Sequence, residues 1–251
     1  MAAIPRAYVD DFTRAINRIS ERSRAGLADA LAGIDMTQPV ADVRDQVIAA
    51  MQVWCGGATD LTAQLAAEFY DGLREYELGA RMGAVANSGR VPAATDGAVR
   101  AFAQELVKGD PNEFVRLCLE RLDYEVKVAA DKTVLNNGRR DRRRPRFARV
   151  PDGSETCDFC LMLASRGFVY RNAQAASHAH TNCDCRTVPS WKAYTVQGYD
   201  PQAIYDRWQA SIDATAAERA ERNGTTEAEE RQKIIATYER AASNAKKRNR
   251  R

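Results

Sequence analysis

The stretch 156–185, TCDFCLMLASRGFVYRNAQAASHAHTNCDC, constrains the fold more than any other part of this chain. It holds four of the six cysteines and both histidines. Cys157 and Cys160 form a C-x2-C pair, whose tight backbone turns two thiolates toward one centre. His180 and Cys183 form an H-x2-C pair that does the same from the other end, and Cys185 follows two residues later. A Cys/His set of this kind suits tetrahedral zinc. Six residues compete for four positions. Cys157, Cys160, His180 and Cys183 make the simplest loop, Cys185 can replace either of the last two, and His178 is the weakest candidate.

Disulfides are the competing use of four clustered cysteines. The N-terminal residues, MAAIPRAYVDDFTRAINR, carry acids early and lack an apolar core behind a basic start, so they do not read as a secretion signal. A chain made without export meets a reducing compartment, where clustered cysteines more often hold metal. The interleaved histidines point the same way. Cys55 and Cys118 stand alone on apolar helical stretches and read as core residues. No run of about 18 apolar residues occurs, so no membrane span is expected.

A catalytic zinc keeps one position open for water and needs a general base beside it. Deaminases carry H-x-E before P-C-x-x-C. Here the order is reversed, neither histidine is followed by that glutamate, and no proline precedes Cys157. H-E-x-x-H is absent, as are the phosphate-cradling G-x-x-x-x-G-K-[ST] and the dinucleotide G-x-G-x-x-G. With both histidines in the cluster, no base remains for a Ser-His-Asp or Cys-His system. The reading is a structural zinc, no catalytic residues and no enzyme. Such a metal can supply on the order of 10 kcal/mol to a small loop-rich segment.

Elsewhere the hydrophobic period is helical. Phe12, Ile16, Ile19, Leu27 and Leu31 mark one helix, and Val43, Val47, Met51 and Trp54 a second. Gly56-Gly57 is expected to break the chain before Leu61, Leu65, Phe69, Leu73 and Tyr76 resume the period. Residues 88–95 read as a loop and 96–107 as a short helix. Asp110-Pro111 starts another helix, with Asp110 as N-cap, Pro111 in the first turn and Glu113 at the positive end of the dipole. Its seam is Val115, Leu119, Leu122, Val126 and Ala129, and Asn137-Gly138 is expected to end it. Phe168–Tyr170 and Thr187–Pro189 read as short strands. Asp200-Pro201 opens a helix that Asn223-Gly224 closes, and Thr226 with Glu229 forms a capping box for the last. The expected fold class is mainly α: a helical region (1–138), an arginine-rich linker (139–149), a small zinc-stapled α+β module (150–199), and C-terminal helices with a basic tail (200–251).

The segment RVPDGSETCDFCLMLASRGFVY followed by HAHTNCDCRTVPSW resembles the C-terminal signature of phage minor head proteins of the MuF-like type, especially those of actinobacteriophages. The resemblance covers about residues 149–191. It implies a minor capsid protein of the virion, associated with the portal vertex or inner head, and active in head morphogenesis or genome handling. Its partners would be the portal protein and capsid or scaffold proteins, met first in the host cytoplasm during assembly. Its metal-ligand pattern falls on Cys157, Cys160, His180 and Cys183, with Cys185 as the neighbouring cysteine.

Charge then acquires a use. The formal net charge is only +3, but residues 139–149 hold seven arginines against one aspartate, and the tail KKRNRR adds five more positive charges. Arg139, Arg140, Arg142, Arg143, Arg144 and Arg146 are candidates for contact with DNA phosphates, without sequence readout and with steep salt dependence. A solvated linker or a surface for an acidic protein is the bland alternative. Two other functions compete with a virion role: a zinc-stabilised nucleic-acid-binding protein, and a zinc-dependent hydrolase.

Overall fold

The computed structural model describes residues 2–152, 156–171 and 185–248. Its order is α1 (Arg6–Ala32), α2 (Val40–Leu78), α3 (Pro92–Phe102), α4 (Gln104–Val107), α5 (Pro111–Arg140), β1 (Arg146–Pro151), α6 (Asp158–Ala164), β2 (Cys185–Ser190), α7 (Pro201–Asn223) and α8 (Glu227–Arg248). The chain is mainly helical with one two-stranded antiparallel sheet. No helix among the described residues is long and apolar enough to cross a membrane.

The three long helices α1, α2 and α5 pack on one another. Val9, Phe12 and Ile16 of α1 meet the buried stripe of α2, where the rings of Phe12 and Phe69 stack with centroids 4.0 Å apart. The expected break at Gly56-Gly57 does not occur, and α2 runs through it for 39 residues. Two glycines cost a helix about 1 kcal/mol each. Buried Met51, Cys55, Ala58, Thr59 and Thr62 lie on both sides of the pair, and their common core outweighs that cost. A Cβ at Gly57 would meet nothing.

The Asn137-Gly138 signal is also used differently, because α5 continues to Arg140. The Asn137 amide donates to the Val85 and Thr133 carbonyls, and its oxygen accepts from the Val85 N–H, so it clamps the segment after α2 onto α5. Gly138 leaves room for Phe147, whose ring occupies the space a Cβ would fill. Gly138→Ala is therefore expected to destabilise the protein by about 1 kcal/mol. Overpacking costs about 1–3 kcal/mol, against a helix gain of about 1 kcal/mol. Gly57→Ala, with open space around it, is expected to stabilise by up to about 1 kcal/mol. Urea unfolding of the two variants checks the opposite signs.

The 139–149 run is not a linker throughout, since β1 begins at Arg146. Strands β1 and β2 pair from Arg146↔Ser190 to Pro151↔Cys185, and Phe147 also bridges Tyr170. That bridge is all that forms of the expected 168–170 strand. A two-stranded ribbon alone is marginal in water, and this one is covered on both faces. Phe147 and Arg149 face α5, at Gly138 and Asp131. Arg186 donates to Thr13 and Asn17 of α1, while the Glu77 carboxylate of α2 takes the Ser190 hydroxyl and the Trp191 and Lys192 N–H groups. The segment expected to fold around metal with little core of its own thus shares the core of the long helices.

Local signals hold at several helix ends. Asp110 caps Glu113 N–H, Asp200 caps Gln202 and Ala203, and Thr226 and Glu229 bond reciprocally. Gly224 closes α7 in the left-handed region at φ 66°. The helix expected at 96–107 is two pieces, α3 starting at Pro92 and α4. The last helix is docked: Ile234 is buried against the core, and Tyr238 reaches Asp158 of α6.

Candidate functional site

Cys157 caps α6. Its Sγ accepts from the Cys160 N–H at 3.4 Å, which sets both thiols of the C-x2-C pair on the first turn of the helix. Positive partial charge at a helix N-terminus favours thiolates there. Asp158, between them, accepts from Ser211 of α7 and Tyr238 of α8, so the C-terminal helices hold this turn from outside.

Cys185 opens β2 and brings the third sulfur. Cys160 and Cys185 are buried with their Sγ atoms 3.3 Å apart, and Cys157 packs against them. Two sulfurs on one tetrahedral zinc stand about 3.8 Å apart, given Zn–S bonds near 2.3 Å. The observed separation is within half an ångström of that. Among the described residues, no group of three or more His, Cys, Asp or Glu is arranged to hold a metal ion. His178, His180 and Cys183 lie outside the described residues. What the structure brings together is Cys157, Cys160 and Cys185, so of the candidates after the C-x2-C pair it is Cys185, the alternative to His180 or Cys183, that is seen beside Cys160.

Sequence reasoning missed the residue that holds Cys185. Arg149, with no exposed surface, donates from Nε at 3.2 Å and from Nη2 at 2.9 Å to the Cys185 Sγ. Its Nη1 pairs with the Asp131 carboxylate of α5 and donates to Thr187 Oγ1 at 2.9 Å. Two guanidinium N–H groups on one sulfur fix its direction, and their positive charge favours a thiolate over a thiol there. In the sequence it is one more arginine of the 139–149 run. Only the alternation of β1, which points residue 149 inward with Phe147, could have signalled otherwise.

The other two described cysteines differ. Cys55 and Cys118 are fully buried among α2 and α5 side chains, and burial pushes both thiols up to about 12. They are inert core residues, as their sequence context indicated.

The arginine run divides in space. Arg139, Arg140, Arg142, Arg143 and Arg144 are exposed and Arg146 is half-buried. Its one acid, Asp141, turns inward and is 4% exposed. Burial alone would raise the pKa of its carboxyl. The Arg143 N–H and the Arg74 guanidinium outweigh that and hold it below its ordinary value. Tyr70 Oη and Trp191 Nε1 complete its partners at 3.2 and 3.0 Å. The outer face of the run is left with positive charge alone.

Fold and site together define a class: a mainly α-helical protein whose buried ribbon carries a thiol cluster beneath an arginine-rich turn. Residues 3–211 match the family model of the VG15 protein, and the chain belongs to that phage-associated family. The match ends inside α7, so the rest of α7 and all of α8 lie beyond it. Comparisons with curated proteins and with solved structures gave no match.

Proposed function

We propose that this protein is a structural minor head protein of a tailed phage, of the MuF-like kind. In this reading it sits at the portal or inner capsid of the virion, is assembled there from the host cytoplasm, and touches packaged DNA through its arginine run. Membership of a phage-associated family over residues 3–211 is the observation that supports it most. Zinc, held by Cys157, Cys160 and Cys185 with His180 or Cys183 as the fourth ligand, would be structural. Its chemistry there is to tie the first turn of α6 to the start of β2, not to activate water. Four protein ligands would leave no open position.

Mass spectrometry of purified virions and of assembly intermediates tests the reading, together with pull-down on the cognate portal protein. The expected result is a low-copy component of the head that co-purifies with portal. Absence from both intermediates and mature particles would overturn it. A second reading, a zinc-stabilised nucleic-acid-binding protein without a virion role, is favoured by the unbalanced arginine face. It would be recognised by salt-dependent DNA binding without any portal interaction.

A further inference from the structure

We infer that the cleft between the end of α5 and the start of β1 is a phosphate-binding site that seats the backbone of double-stranded DNA. The inference rests on the reading that the arginine run contacts DNA, and it names where and with which residues. The cleft has a volume of about 540 Å³ and is lined by Gly138, Arg139, Arg144, Pro145, Arg146 and Arg171. Its four guanidinium-bearing residues come from separate places: the last turn of α5, the turn after it, β1, and the residue following the Tyr170 bridge. Arg171 is 25 residues beyond Arg146 in sequence, so no reading of the run alone would include it.

Three features separate this arrangement from a solvated charge run. Ion pairs with carboxylates engage Arg74, Arg81, Arg116, Arg121 and Arg149, among others, but none of the four cleft arginines among the described residues. The acid that could have neutralised them, Asp141, is committed to Arg74, Tyr70 and Trp191 inside the protein. The C-terminal dipole of α5 offsets only about half an elementary charge of the four. Finally, the backbone bends to make the cleft. Arg144 and Tyr194 are the two non-glycine residues with positive φ among the described residues, at 47° and 51°. Arg144 closes a turn on the Asp141 carbonyl immediately before Pro145, and Tyr194 lies under Arg146 with the guanidinium 5.4 Å from its ring centre. Non-glycine residues in the left-handed region cost free energy and persist where the surroundings require them.

Guanidinium forks match phosphate oxygens in pairs. Exposed Arg140, Arg142 and Arg143 extend the positive surface past the cleft, which suits a polymer of phosphates better than a single anion. Among the described residues no aromatic side chain lines the cleft, so base stacking is not offered there, and a duplex with its bases enclosed is the nucleic acid that fits.

Fluorescence anisotropy of the full chain with a short mixed-sequence duplex, across about 50 to 200 mM salt, tests this. The double variant Arg144→Gln/Arg171→Gln is expected to bind about tenfold or more weakly, equally on two unrelated sequences. The slope of log affinity against log salt should fall in magnitude by roughly two. Because both side chains are exposed, the thermal melt should be unchanged, which separates lost contact from lost fold. Binding by the parent and by this variant alike, with loss only in Arg140→Gln/Arg142→Gln, would overturn the cleft while leaving DNA contact standing. No binding by the parent at the lowest salt would overturn both. Displacement of the duplex by polyglutamate at equal charge concentration would show a general polyanion surface and overturn the phosphate assignment.

Discussion

Replacing Arg149 by leucine is expected to destabilise the protein by about 3–5 kcal/mol, the usual consequence of stranding one partner of a buried ion pair. Asp131 would keep a carboxylate whose side chain is only 9% exposed, and Cys185 and Thr187 would lose their donors. For a chain of this length that loss lowers the melting temperature by roughly 10 °C. The double variant Arg149→Leu/Asp131→Leu should recover much of the stability, since apolar replacement of a whole buried pair is often neutral. Urea unfolding of the two single variants and the double closes a cycle that isolates the coupling. A loss below about 1 kcal/mol in Arg149→Leu would mean that the pair does not anchor the ribbon.

The second large effect concerns the proposed metal. Purified protein is expected to carry about one zinc per chain, a single occupied Cys/His set. Cys160→Ser should remove it, whereas Cys55→Ser and Cys118→Ser should not, because those thiols are far along α2 and α5 in the apolar core. Metal loss from isolated zinc modules costs on the order of 10 kcal/mol and unfolds them. Here the ribbon is also held by α1, α2 and α5, so the expected outcome is local: faster hydrogen exchange across 156–190 on chelation, with α2 and the middle of α5 still protected. Cobalt in place of zinc should give thiolate charge-transfer absorption that Cys160→Ser and Cys185→Ser each weaken. Protein that is metal-free by elemental analysis yet equally stable to chelator would sink the staple.

Both experiments converge on one junction. Arg149 joins α5 to β2 through Asp131 and Cys185, and the sulfur cluster joins β2 to α6. Asp158 then joins α6 to the C-terminal helices through Ser211 and Tyr238. Helical scaffold, ribbon and terminal helices therefore meet within a few residues of Cys160.

Much of this was legible in the sequence, because the relevant physics is local. Asp110, Asp200 and the Thr226–Glu229 pair cap helices with groups two or three residues away, so their spacing alone fixes those helix starts. The apolar period of α1 and of each half of α2 follows from 3.6 residues per turn. The C-x2-C pair shares one helical turn, and the excess of arginine over acid is a matter of counting. Tertiary structure decided the rest, wherever a local preference of about 1 kcal/mol met burial worth several. Gly56-Gly57 and Asn137-Gly138 carry stop signals, yet the core runs past the first, while Val85 and Phe147 occupy the second. Asp141 and Arg149 belong to a charged run by sequence and to the interior by strand alternation and the turn after α5. Arg171 reaches the cleft, and Tyr194 reaches Arg146, only because β1 gathers neighbours that are distant along the chain. Composition could supply the charges, but only packing could decide which of them face water.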